Sequence, residues 1–389
     1  MTKLNDQPAR KLAPRDYLLL PAVAVLSVLL MFFVSEIGTR LAWSEAQTGQ
    51  ECHVADSTLG IVNVPNCTMR VKVPETGWIS YHYNECGFRS TEACGPKPRG
   101  TRRVAILGSS FAEGTSVPYD RSFSAVSGAQ LSRSCHRPVE FQNLGVYDLP
   151  LRKVAMRVDP ALRLQPDAAI LVLAPFDLEK LNRPDADDEP AGLTRVSANA
   201  PASPVQSVDM LSRAKEVVKN SRALTVAEHF MFENPDIEIP MYLRYGDKAD
   251  FLRPPFSPEW QQRLAVADAV IGETAARFRA AGVPLLVMLI PQRTQAELLS
   301  MKKRPSGIDP LALQRALSAI AQKHGVETID LFSQFARDPH PANFYYPVDN
   351  HLNVDGSRAV ARSIVTSLSN SGIAAFDECA HQSQQGDAL

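Results

Sequence analysis

The tetrapeptide Gly108-Ser109-Ser110-Phe111 closes an apolar run, Val104-Ala105-Ile106-Leu107, and far down the chain Asp349-Asn350-His351 sets a carboxylate two residues before a histidine. A serine at the end of a buried strand is a nucleophile that needs a base. A histidine supplies one, and an aspartate beside it orients the ring and stabilises its charge. Ser110, His351 and Asp349 are therefore candidates for acyl transfer through a serine ester. Gly108 allows a turn from strand to helix without steric penalty. The serine amides that follow point to a common space near a helix start, where they can stabilise an oxyanion. The plainer alternative is that Ser109 or Ser110 only caps that helix.

These groups need elements to hold them. Apolar runs at Val104–Leu107, Val139–Leu144, Ala168–Ala174, Val283–Ile290 and Val326–Leu331 read as buried strands. Between them lie helical patterns at 120–133 (Phe123, Val126, Leu131), at 151–163 with a break near Asp159-Pro160, at 258–281 and at 309–323. Asn353 caps a last helix running to about Leu368, with Asp355 in its first turn. Alternating strands and helices predict an α/β fold, a three-layer αβα sandwich around a mostly parallel five-stranded sheet. Ligands in such sheets sit beyond the carboxyl ends of the strands, where Ser110 falls.

The run Val104 to Gly114 resembles the first block of the SGNH (GDSL-type) hydrolases. Asn143-Leu144-Gly145-Val146 resembles their second block, and Asp349-Asn350-His351-Leu352-Asn353 their fifth. Asn84 to Arg89, and Leu59-Gly60 with Pro65-Asn66, are similar to the family's lead-in. The resemblance spans about residues 59–368. It implies Ser110 as nucleophile, His351 as base, Asp349 as its orienting acid, and the backbone N–H groups of Ser110 and Gly145 as part of the oxyanion hole. No cofactor and no metal are expected, since no Cys-x-x-Cys pair occurs. Exported relatives, including alginate O-acetyltransferase-like proteins, act on cell-surface or exported polysaccharides, so the implied substrate is a carbohydrate or another acyl ester. In the third block the family carries an Asn donor, where this chain has Phe176, followed by Asp177. Ser109 replaces the usual Asp of the first block. Either Asn143 or a group from the insertion compensates, or turnover is slow or lost. The competing reading is a non-catalytic, glycan-binding or assembly component of an envelope polysaccharide system.

The rest of the chain bears on location. Its 389 residues carry a net charge of -1, which excludes an electrostatic nucleic-acid binder. From Tyr17 to Val34 eighteen residues carry no charge, enough to cross a bilayer. Lys3, Arg10, Lys11 and Arg15 precede them, predicting a cytoplasmic N-terminus and an exported remainder at the inner (cytoplasmic) membrane. A cleaved signal peptide is the alternative, disfavoured by the length of the run. All six cysteines follow this segment, which suggests disulfides. Of the fifteen possible connectivities, short loops favour Cys52 with Cys67 and Cys86 with Cys94, leaving Cys135 with Cys379. Six buried thiols are the alternative.

The expected layout is a cytoplasmic tail (1–16), a transmembrane anchor (17–38), an irregular disulfide-containing cap (39–100), the α/β domain (101–375) and a C-terminal tail (376–389). An insertion at 178–256, rich in Pro, Ser and Asp, reads as a partly mobile candidate lid. The remaining histidines lack metal-ligand spacing. Arg293, after the fourth strand, is a candidate substrate contact, with a solvated surface arginine as the alternative.

Overall fold

The protein is described by a computed structural model that covers residues 13, 15–182 and 220–379. Most of the expected tails (1–12, 14 and 380–389), and the Pro- and Ser-rich half of the insertion with its expected mobility, lie outside the described residues. Two compact units divide the chain. One contains the helix Asp16–Ala42, which is long and apolar enough to cross a membrane and has no buried residue. Its Glu36 accepts hydrogen bonds from the Ser221 hydroxyl and the Ala223 N–H, at 2.8 and 3.0 Å.

The other unit is built on ten short strands: β1 (Ala46–Gly49), β2 (His53–Asp56), β3 (Gly60–Asn63), β4 (Thr68–Lys72), β5 (Trp78–His82), β6 (Arg102–Leu107), β7 (Val139–Asn143), β8 (Ala168–Leu173), β9 (Leu285–Leu289) and β10 (Glu327–Ile329). The last five form one sheet in the order β10-β9-β8-β6-β7, with every neighbouring pair parallel. All residues of β8 and β9 are buried, as is β6 after its first residue. That explains why these strands read as unbroken apolar runs rather than alternating ones.

Chain order dictates where the site lies. From β6 the chain crosses to β7 on one side, then returns to β8 on the other. Crossovers between parallel strands are right-handed. The two directions of travel therefore put their helices on opposite faces, giving three layers. Helix Phe123–Ser134 packs with the final helix Val354–Asn370, and helix Pro258–Ala280 packs with Ala312–Lys323. Three of these four starts are capped by side chains: Ser122, Ser257 and Asn353 accept backbone N–H groups of the turn that follows. The reversal beside β6 opens a crevice at its carboxyl end, and Ser110 begins the short helix Ser110–Glu113 there.

Three local expectations are corrected. The cap is not irregular: β1, β4 and β5 make an antiparallel sheet, and β2 pairs with β3. Its strands are four or five residues long, too short for alternation to stand out among Asn, Pro and Cys. Only Trp78 to His82 alternates cleanly between exposed and buried. The break in 151–163 falls at Ala155–Arg157, a tighter helical turn. Pro160 sits in the first turn of Val158–Arg163, where a missing N–H costs nothing. Helices Pro175–Glu179 and Arg293–Ser300 were not foreseen. Disulfides join Cys52 to Cys67, Cys86 to Cys94 and Cys135 to Cys379, the pairing expected from loop length.

Candidate functional site

Ser110 is held by two glycines that nothing larger can replace. Gly108 has φ of 150°, and a Cβ there would lie 2.6 Å from the Val172 carbonyl oxygen. Gly145, after β7, lets the chain pass against the helix Ser110–Glu113; its Cβ would come within 2.3 Å of the Glu113 nitrogen. The buried Arg89 then donates to the carbonyls of Glu113, Gly114 and Val117, at 2.8, 2.5 and 2.5 Å. The lead-in segment Asn84–Arg89 thus fixes the end of the short helix that carries the serine.

Ser110 is 4% exposed. His351 reaches it from the loop ahead of the final helix, with Nε2 at 2.9 Å from Ser110 Oγ. On the ring's other side Nδ1 lies 3.0 Å from Asp349 Oδ1. The second carboxylate oxygen of Asp349 accepts from Ser116 Oγ at 2.7 Å. Burial alone would depress the His351 pKa. The charge and hydrogen bond of Asp349, helped by Glu113 and Asp177, reverse that and raise it above 6.5. Burial likewise opposes the charge of Asp349, yet His351 and the Ser116 hydroxyl hold its pKa below the ordinary carboxylate value.

The oxyanion donors are placed differently from expectation. The Gly145 N–H donates to Asn143 Oδ1 at 2.9 Å, and Asn143 Nδ2 donates to the Ala112 carbonyl at 2.7 Å. The single Gly145 N–H is thus already engaged by Asn143, while the Asn143 NH2 group uses one of its two hydrogens on Ala112. The Ser110 N–H lies at the start of the short helix Ser110–Glu113. Phe176 is 38% exposed and lines the cleft beside the triad-like group. Asp177 does not face that cleft. It accepts from Ser109 Oγ at 2.5 Å and from the Ala174 N–H at 2.7 Å. Burial pushes its pKa up to about 6, against the pull of Ser109, Ala174 and His351.

The cleft has a volume of about 300 Å3. Its walls are mostly apolar and include Phe111, Phe176 and, from the described half of the insertion, Phe232, Met241 and Tyr242. Arg293 lines it but is not a solvated arginine: it is 2% exposed, with Nη1 2.6 Å from Glu238 Oε2 and Nη2 donating to the Phe232 carbonyl at 2.6 Å. Its charge is met inside the protein, so an anionic substrate would compete with a buried carboxylate. Glu75 and Ser116, both partners of the Asp349 loop, escaped the sequence reading. No local signal marks them: Glu75 lies in the turn between β4 and β5, and only the folded chain brings it to residue 349.

Residues 251–388 match the family described as the SGNH hydrolase-like domain of the acetyltransferase AlgX. This is the class that the sequence motifs resemble, and the match includes Asp349 and His351. No curated protein matches the chain. Among solved structures, it is similar to LAE5, an alpha/beta hydrolase from the metagenome of Lake Arreo, Spain, at 13% identity over 68% of this chain and 94% of that one, with a TM-score of 0.38. A lipase/acylhydrolase from Enterococcus faecalis shares 11% identity over 69% and 96% of the two chains, with a TM-score of 0.36. A catalytic variant of Axe2, an acetylxylan esterase from Geobacillus stearothermophilus, shares 11% over 68% and 93%, with a TM-score of 0.37. Likenesses this distant say nothing about what this chain acts on.

Proposed function

We propose that this chain is a membrane-anchored, exported serine esterase or O-acyltransferase, working on acetyl or similar esters of a carbohydrate. The observation that carries the reading is the continuous line from Asp349 through His351 to Ser110, at 3.0 and 2.9 Å. The match to an acetyltransferase domain supports the acyl chemistry. The apolar N-terminal helix and three disulfides support anchoring and export.

In this reading His351 Nε2 takes the Ser110 hydroxyl proton as Oγ bonds to the ester carbonyl carbon. The oxyanion rests on the Ser110 N–H. The C–O bond to the leaving alcohol then breaks, and His351 returns the proton to that oxygen. A water or a sugar hydroxyl next gives its proton to His351 as its oxygen bonds to the acyl carbon; the C–Oγ bond then breaks and His351 returns the proton to Ser110 Oγ. Hydrolysis and transfer differ only in this second nucleophile. Acetyl-ester turnover by the wild-type chain and its absence in Ser110→Ala tests the proposal; equal turnover in both would refute it.

A second reading is favoured by one feature. Phe176 stands where the resemblance expects an Asn donor, and Gly145 is already hydrogen-bonded. Loss of one oxyanion donor costs about 10²–10³ in rate. A glycan-binding component with a spent site fits that geometry, and glycan binding without reaction toward a fluorophosphonate would favour it.

A further inference from the structure

We propose that Glu75 is a positioning residue for the acid–base pair, a claim that rests on the function proposed above. The Glu75 side chain is 2% exposed although it belongs to the turn between β4 and β5 of the cap. Its carboxylate is aimed at the loop that carries Asp349. Oε1 and Oε2 accept the Val348 N–H at 3.0 and 3.1 Å, and Oε2 accepts the Asp349 N–H at 2.7 Å. His229 Nδ1 lies 2.6 Å from Oε1, three residues before Phe232 of the cleft wall.

The loop is also closed by the Asn350 N–H on the Tyr346 carbonyl and the Tyr346 N–H on the His351 carbonyl, both at 3.0 Å, while the N–H groups of Val348 and Asp349 are met by Glu75. Asn350, between the acid and the base, has a positive φ of 61°, a conformation Asn tolerates better than most residues, with its Nδ2 donating to the Val348 carbonyl at 2.9 Å. Asp349 and His351 are two residues apart, so the direction of the carboxylate depends on the peptide before residue 349. A charged oxygen pair accepting two successive N–H groups fixes the orientation of that peptide. Glu75 touches none of the reacting atoms. It acts through Asp349, and Asp349 through His351. The cap, which supplies no member of the triad-like group, thereby takes part in its geometry.

The test uses the full chain with Glu75→Ala and Glu75→Gln. Gln keeps one acceptor oxygen but puts an NH2 donor in place of the other, facing the Val348 N–H or His229, so it preserves part of the arrangement. With Ala, kcat for an acetyl ester falls on the order of 10²-fold while KM changes little. With Gln the loss is about tenfold, intermediate between wild type and Ala. Both variants also shift the acid limb of the pH–rate profile to lower pH, because a displaced Asp349 no longer raises the His351 pKa. A merely structural residue would lower the melting temperature without moving that limb. The His351 titration is read independently by NMR of histidine-labelled protein. If wild type turns over no ester, the proposed function fails, and the His351 titration in Glu75→Gln still decides the role of Glu75. A His351 titration identical to wild type in the folded Gln variant would overturn the proposal.

Discussion

At the scale of single residues, the Asp349–His351 contact makes a pH-dependent claim. His351 must be neutral to accept the Ser110 proton, and its pKa is raised in the folded protein. Activity therefore rises with pH through an acid limb that lies above pH 6.5, the ordinary imidazole value. Asp349→Asn removes the negative charge that raises it. The limb then moves to lower pH while kcat falls by about 10³–10⁴-fold, measurable in an acetyl-ester pH–rate series. The candidate triad could be read from residue types because a strand-end serine and an Asp-x-His pair are local patterns. The fate of Gly145 could not. Its N–H is taken by Asn143, a contact set by how the chain turns at the end of β7.

At the scale of elements, the short helix Ser110–Glu113 is gripped between β8 and the turn after β7. Gly145→Ala places a methyl group within 2.3 Å of the Glu113 nitrogen. Backbone cannot retreat as a flexible side chain would, so the variant loses about 2–3 kcal/mol of stability in urea unfolding and loses activity with it. An unchanged unfolding midpoint would mean that this packing is looser than described. The five sheet strands were legible because burial on both faces leaves continuous apolar runs. The cap strands were hidden by their shortness, and helix Pro175–Glu179 by its single turn, although Pro175 at its first position was a signal available in the sequence.

At the scale of the whole molecule, the disulfides staple segments that the sheet does not join. Cys135 and Cys379 are 244 residues apart and tie helix Phe123–Ser134 to the segment after the final helix. Replacing the pair with serine costs about 2–5 kcal/mol, seen as a lower Tm for the double variant than for wild type under oxidising conditions and as no difference under reduction. The fold class was legible at this scale because strand and helix patterns alternate along the chain. The described half of the insertion supplies Phe232, Met241 and Tyr242 to the cleft, and nothing in its composition marks which residues face inward.

The central claim is that Ser110 is the nucleophile, activated by His351 across 2.9 Å. The most direct measurement is peptide mass spectrometry after reaction with a fluorophosphonate. The account predicts a single phosphonyl adduct on Ser110 in the wild-type chain, and none in Ser110→Ala or His351→Ala. A folded wild-type protein that takes no adduct, or takes it at another serine with Ser110 unmodified, would contradict it.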